Sequence, residues 1–122
     1  MNNEEKELVN KILNDFDNVS EEDLLYFNNT IAGDYMKDTK LEDIPNKIKV
    51  ELGNENIGTI YVSEKDVELA KKINEVSTRT YETLEYLNNT YGNVEYLSGW
   101  EYFSTYAEAA GLKFAIDTES LF

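Results

Sequence analysis

Between Tyr81 and Glu108 the sequence interleaves tyrosines with glutamates. Tyr81, Tyr86, Tyr91, Tyr96, Tyr102 and Tyr106 are six of the nine tyrosines, and Trp100 and Phe103 join them. Glu82, Glu85, Glu95, Glu101 and Glu108 lie among these aromatics. Tyrosine and tryptophan are the side chains that most often anchor protein interfaces. Carboxylates beside them supply a negative field and hydrogen-bond acceptors. No lysine or arginine occurs between Thr80 and Lys113, so these carboxylates have no cation close by in sequence. The chemistry on offer is therefore recognition of a positively charged surface. The candidate partner-binding residues are Glu82, Glu85, Tyr86, Glu95, Tyr96, Glu101, Tyr102 and Glu108. Trp100, Phe103 and Tyr106 also have the spacing to pack a last helix against a longer one.

Catalytic chemistry finds few residues to use. The 122 residues include no Cys and no His, so there is no thiolate nucleophile, imidazole base or disulfide framework. Zinc would need those same residue types. No Gly-x-Gly-x-x-Gly, phosphate-binding Gly-Lys-Ser/Thr loop or Gly-x-Ser-x-Gly occurs. Carboxylate pairs exist at Asp15 with Asp17 and at Glu42 with Asp43, and such pairs can bind Mg²⁺ or Ca²⁺. The Asp15 segment is not an EF-hand loop, since Val19, Ser20 and Tyr26 occupy the fifth, sixth and twelfth positions. The expectation is a non-enzyme with no catalytic residue, no metal site and no cofactor. N-x-Ser/Thr sequons at Asn18, Asn28 and Asn88 fit chance in an Asn-rich chain, because Met1–Glu5 lacks the basic start and apolar stretch of a signal peptide. Two Asn-Asn-Thr repeats, at Asn28 and Asn88, have no reading of their own.

The charge is unevenly spread. The chain carries 25 Asp and Glu against 11 Lys and Arg, a net of −14. Residues 1–33 hold eight acids and two lysines, a net of −6; residues 34–79 hold ten acids and eight basic residues, a net of −2; residues 80–122 hold seven acids and one lysine, again −6. Such a surface argues against direct binding to nucleic acid or to an anionic membrane, which both require Lys and Arg. No run reaches the ~18–20 apolar residues of a membrane span. These features predict a soluble, cytoplasmic protein of a bacterial cell.

The length suits one domain, residues 1–122, and 41% hydrophobic residues are too many for a disordered acidic tail. Leu8, Val9, Ile12, Leu13 and Phe16 share one face of a helix over about Glu4–Phe16, capped by Asn2 or Asn3. Ser20 followed by three acids caps a second helix that carries Leu24, Leu25, Phe27, Asn28 and Ile31 and stops near Gly33. A short turn falls at Leu41–Ile44, before the only proline, Pro45. Ile48, Val50 and Leu52 alternate with charged residues as a half-buried strand, Gly53–Asn56 is turn chemistry, and Ile57–Val62 is a second strand. Ser63 repeats the capping signature and opens the longest helix, about Glu64–Tyr91. There Leu69, Ile73, Val76, Thr80, Leu84, Leu87 and Tyr91 form one stripe, and Gly92 ends it. Ser98 or Gly99 starts a helix to about Ala110, Gly111 caps it, and Leu112, Phe114 and Ile116 alternate as a third strand. The expected fold class is α+β in the order α-α-β-β-α-α-β, with a small antiparallel sheet packed on the long helix.

In size, acidity, lack of cysteine, Asn/Lys/Glu/Ile/Tyr-rich composition and the segment Tyr81–Glu108, the chain resembles a type: the small acidic inhibitors of phages and mobile elements. These are the anti-CRISPR proteins and antirestriction DNA mimics. No shared motif carries the resemblance, so it assigns no residue. It implies a host nucleic-acid-binding protein as partner, a CRISPR nuclease first and a restriction enzyme second. Carboxylates at phosphate-like spacing would occupy the groove meant for DNA or RNA. Members of the type also act on other surfaces, and the nearly charge-balanced segment Asp34–Val62 is a second candidate contact. The same surface physics suits an immunity or antitoxin protein that neutralises a basic toxin. The remaining alternatives are a small carboxylate-based metal-binding domain and an accessory phage protein.

Overall fold

Asn2 starts the first helix. Its side chain accepts from the Glu5 amide at 2.8 Å, and Glu5 accepts from the Asn2 amide at 2.9 Å. This reciprocal pair is a capping box. It opens α1 (Asn3–Asn14), whose buried side is Val9, Ile12 and Leu13. The computed structural model describes residues 1–35, 39–52 and 58–116. A single 3₁₀ turn, Phe16–Asn18, follows α1.

Ser20 accepts from the Asp23 amide at 3.1 Å and caps α2 (Glu21–Tyr26). The α geometry then widens into a π-helical segment, Phe27–Ile31, closed by the Ala32 amide donating to the Phe27 carbonyl at 2.9 Å. Phe27, Asn28 and Ile31 are all buried there. The expected second helix is thus one short α segment and one π turn, and π turns recur at functional sites.

The expected strands pair as an antiparallel sheet in the order β1-β2-β3: Lys47–Glu51, Thr59–Ser63 and Phe114–Ile116. Val50 faces Ile60 and Lys47 faces Ser63. Val62 faces Phe114. The turn expected at Gly53–Asn56 and the start of the second strand at Ile57 lie outside the described residues. Ile48 departs from the half-buried expectation at 39% exposed, whereas Val50 and Leu52 are buried. It sits on an edge strand, which has a neighbour on one side only.

Ser63 does not cap the long helix. It is the last residue of β2, and the following Glu64 amide donates to the Asn46 carbonyl at 3.0 Å. That bond ties the backbone to the sheet, so a 3₁₀ turn over Glu64–Asp66 intervenes and α3 runs Val67–Tyr91. At a rise of 1.5 Å per residue it is about 37 Å long. Ile73, Val76, Thr80, Leu84 and Leu87 are buried as the stripe predicts, but Tyr91 overshoots the core and is 72% exposed.

Ser98 accepts from the Glu101 amide at 3.2 Å and caps α4 (Gly99–Ala110). Gly111 ends it in the left-handed region, and the Leu112 amide donates to the Ala107 carbonyl at 3.0 Å. This is the Schellman pattern, with Leu112 buried behind it. The element order is therefore α-α-β-β-α-α-β in one α+β domain.

Six consecutive residues of α4, Tyr102 to Ala107, are buried. Helix α4 packs against α1 and α3 and touches β3 through Phe114. Phe27 stacks on Tyr106 at 5.4 Å, and Phe103 meets the Phe114 ring edge-on at 5.3 Å. The sheet meets α3 through Asn74, whose Nδ2 donates to the Leu52 carbonyl at 2.9 Å. Phe27 is fully buried at the junction of α2 and α4. Phe27→Ala should lower unfolding stability by about 3–5 kcal/mol, measured by urea titration followed by circular dichroism.

Candidate functional site

The connection between α3 and α4, residues 92–98, carries two candidate binding residues, Glu95 and Tyr96, on a backbone with no regular structure. Side chains hold it in place. Gly92 provides the positive φ, 77°, that turns the chain out of α3. The Val94 amide donates to Asn88 Oδ1 at 3.1 Å. The Glu95 carbonyl accepts from Asn28 Nδ2 at 2.8 Å. The Leu97 amide donates to the Tyr102 hydroxyl at 2.8 Å, and that hydroxyl donates to Asn28 Oδ1 at 2.6 Å. Tyr96 is thus clamped on both sides by bonds to buried side chains.

Asn28 and Asn88 are the first residues of the two Asn-Asn-Thr repeats, and both hold this connection. Sequence reasoning missed them. The signal was present for Asn28, which falls four residues after Leu24 and three before Ile31, on the buried stripe. A polar residue on an apolar stripe must find partners. Asn28 is buried and its amide is engaged, so the sequon there presents no free acceptor.

Above the clamp, Tyr81 and Tyr96 meet edge to face, with ring centroids 5.4 Å apart at 85°. The Tyr81 hydroxyl is held above the ordinary tyrosine range, first by burial and then by the charge of Glu85, one turn on along the same face of α3, with Tyr96 adding to the effect. Glu85, Tyr96 and Tyr81 therefore form one group. Glu101 stands at the start of α4, where its carboxylate accepts from Ser98 Oγ at 3.2 Å. It also acts on Tyr102, whose hydroxyl is pushed far up chiefly by burial; the bond from Leu97 opposes the shift and the Glu101 charge reinforces it.

The other candidates sit elsewhere. Glu82 and Tyr86, four residues apart on α3, are exposed, Tyr86 to 64%. Glu108 is two turns of α4 beyond Glu101, about 10 Å along the axis. Tyr102 is a correction. It is completely buried and its hydroxyl is occupied by Leu97 and Asn28, so it supports the site from below and presents no surface to a partner. Of the eight residues, Glu85 and Tyr96 are brought together around Tyr81, Glu95 is exposed beside Tyr96 in the connection, Glu101 stands at the start of α4, and Glu82 with Tyr86 and Glu108 lie apart.

The two acidic ends of the sequence meet. Tyr35 is shifted upward by burial, then by the charge of Glu5 from α1 and of Glu108 from α4. Both charges reach one hydroxyl because α1 packs on α4. The segment before Tyr35 is tied to α4 as well: the Gly33 and Tyr35 amides donate to Thr105 and Ser104 at 3.1 Å each. The carboxylate pair at Asp15 and Asp17 is used locally. Asp15 accepts from Asn18, and Asp17 pairs with Arg79. Among the described residues no group of three or more acidic side chains is arranged to hold a metal ion. No helix among them is long and apolar enough to cross a membrane.

No family model, curated protein or solved structure matches this chain.

Two predictions follow from the buried hydroxyls. Asn28→Ala removes a partner from Tyr102 and from the Glu95 carbonyl, so it should cost about 1–3 kcal/mol. Amide exchange at Leu97 should accelerate more than exchange in the middle of α3. Tyr102 and Tyr106 are both held above their ordinary value of 10.0. Both stay protonated in the folded state while the unfolded chain ionises, so the unfolded state binds fewer protons above pH 10 and stability falls with rising pH. The urea midpoint should be unaffected by these two groups at neutral pH and should drop as pH climbs past about 10.

Proposed function

We propose that this protein is a non-catalytic inhibitor that binds the basic nucleic-acid-binding surface of a host nuclease through acidic and aromatic side chains. The observation that supports this reading is the packing of α1 on α4, which joins an element from each acidic end of the sequence. A net charge of −14 spread at random would only keep the protein soluble. Gathered onto one body, it becomes a field able to steer a basic groove into contact. The chain's only arginine is engaged by Asp17 and the Phe16 ring, and Lys72 bonds to Asn14. Those two cations are thereby held by residues at the end of α1 and in the 3₁₀ turn that follows it.

The class of target is a protein that ordinarily holds a phosphate backbone in a cleft lined by Lys and Arg. A CRISPR effector nuclease fits first and a restriction enzyme second. Carboxylates would take the phosphate positions, and half-exposed tyrosines would supply short-range adhesion once the groove has closed on them.

The test is competition. The protein is added to a panel of purified CRISPR effector and restriction nucleases with fluorescently labelled nucleic acid bound. It should displace the nucleic acid from one of them, with an affinity that falls at least tenfold as salt rises from about 0.05 to 0.2 M. Glu82→Lys combined with Glu85→Lys should abolish displacement while leaving the circular dichroism spectrum unchanged. Binding that ignores both salt and charge reversal would refute the electrostatic mechanism.

A further inference from the structure

The chain shows how it holds a guanidinium. Arg79 lies with its guanidinium carbon 4.4 Å from the centroid of the Phe16 ring, and its charge is paired with Asp17. One aromatic ring and one carboxylate thus hold the only arginine in the sequence. The same two components recur around the α3–α4 connection, where the Tyr81 and Tyr96 rings are set at right angles and Glu85 follows Tyr81 by one helical turn on the same face of α3. The surrounding stretch of sequence offers no cation of its own. Thr80 to Leu112 contains neither lysine nor arginine, and Glu85 has no ion-pair partner among the described residues.

We propose that Tyr81, Glu85 and Tyr96 form a subsite that accepts an arginine side chain of the partner, with preference for the guanidinium over a lysine ammonium. The inference rests on the binding reading above and names the chemistry that its central group recognises. Three features favour arginine. All three side chains are half-buried, so a bound cation loses part of its water, and a guanidinium is more weakly hydrated than an ammonium. A planar guanidinium can lie along a tyrosine ring and still direct N–H groups at a carboxylate, whereas an ammonium is a point charge. The subsite is also built before the partner arrives. Tyr96 is flanked by the Glu95 carbonyl on Asn28 and the Leu97 amide on Tyr102, so little order remains to be imposed on binding.

The test needs no identified target. The full-length protein, labelled with ¹⁵N, is titrated with a nonapeptide of arginine and with a nonapeptide of lysine at about 0.15 M salt, where fields beyond ~8 Å are screened. The arginine peptide should bind at least fivefold more tightly and should shift the amides of Tyr81, Glu85 and Tyr96 most. Glu85→Gln should bring the ratio of the two affinities close to one. Glu82→Gln, which removes the same charge three residues away, should weaken both peptides alike and leave the ratio unchanged. Equal affinity of the wild type for both peptides, or shifts centred elsewhere, would overturn the subsite while leaving the charge-based reading intact. Absence of binding by either peptide would overturn it as well. Conversely, an arginine preference in a protein that displaces nucleic acid from no nuclease would retain the subsite and refute the nuclease as target.

Discussion

A phenol hydroxyl inside a core must find partners, and much of this molecule is arranged around the hydroxyl of Tyr102. It accepts from the Leu97 amide and donates to Asn28. Leaving either group unpaired would cost on the order of 1–3 kcal/mol. The requirement fixes three things together. It holds the connection between α3 and α4 close to its own helix. It requires a polar side chain on the buried face of the second helix, and Asn28 sits there in the π-helical segment. It also fixes the position of Tyr96 relative to Tyr81, and with it the geometry of the candidate site.

Helix α4 repeats the theme along its length. Ser104, Thr105 and Tyr106 are buried beside Tyr102, and each spends its hydroxyl on a neighbour: Gly33 for the first two and Thr80 for Tyr106. Hydroxyls in the core are less forgiving than methyl groups, because each partner must arrive at hydrogen-bond distance. The chain from Ile31 to Tyr35 is therefore laid across α4 in one position, which brings Glu5 and Glu108 to the same tyrosine.

An acidic chain of this size opposes its own folding through self-repulsion. Part of the remedy lies in placement. Glu4 and Glu5 occupy the first turn of α1, Glu21, Glu22 and Asp23 that of α2, and Glu101 that of α4. The positive end of each helix dipole favours them there. Carboxylates in the body of α3, such as Glu82 and Glu85, receive no such help.

Most of the architecture was legible because it depends on neighbours in sequence. The capping box at Asn2, the Ser20 and Ser98 caps, the Gly92 and Gly111 stops and the stripe from Ile73 to Leu87 follow from local hydrogen bonding and helical period. Expectations failed where distant residues took over. Ser63 carried a capping signature, but pairing with Lys47 and the bond from Glu64 to Asn46 committed it to the sheet. Tyr102 belonged to the acidic–aromatic pattern, but the packing of α4 buried it. Asn28 and Asn88 looked like repeats without a role until the fold brought them to the 92–98 connection. Composition and order alone determined that the protein carries its charge at two ends and its tyrosines in one segment. Only the tertiary structure decided that those ends meet and which tyrosines remain accessible, because burial depends on what packs from far away in sequence.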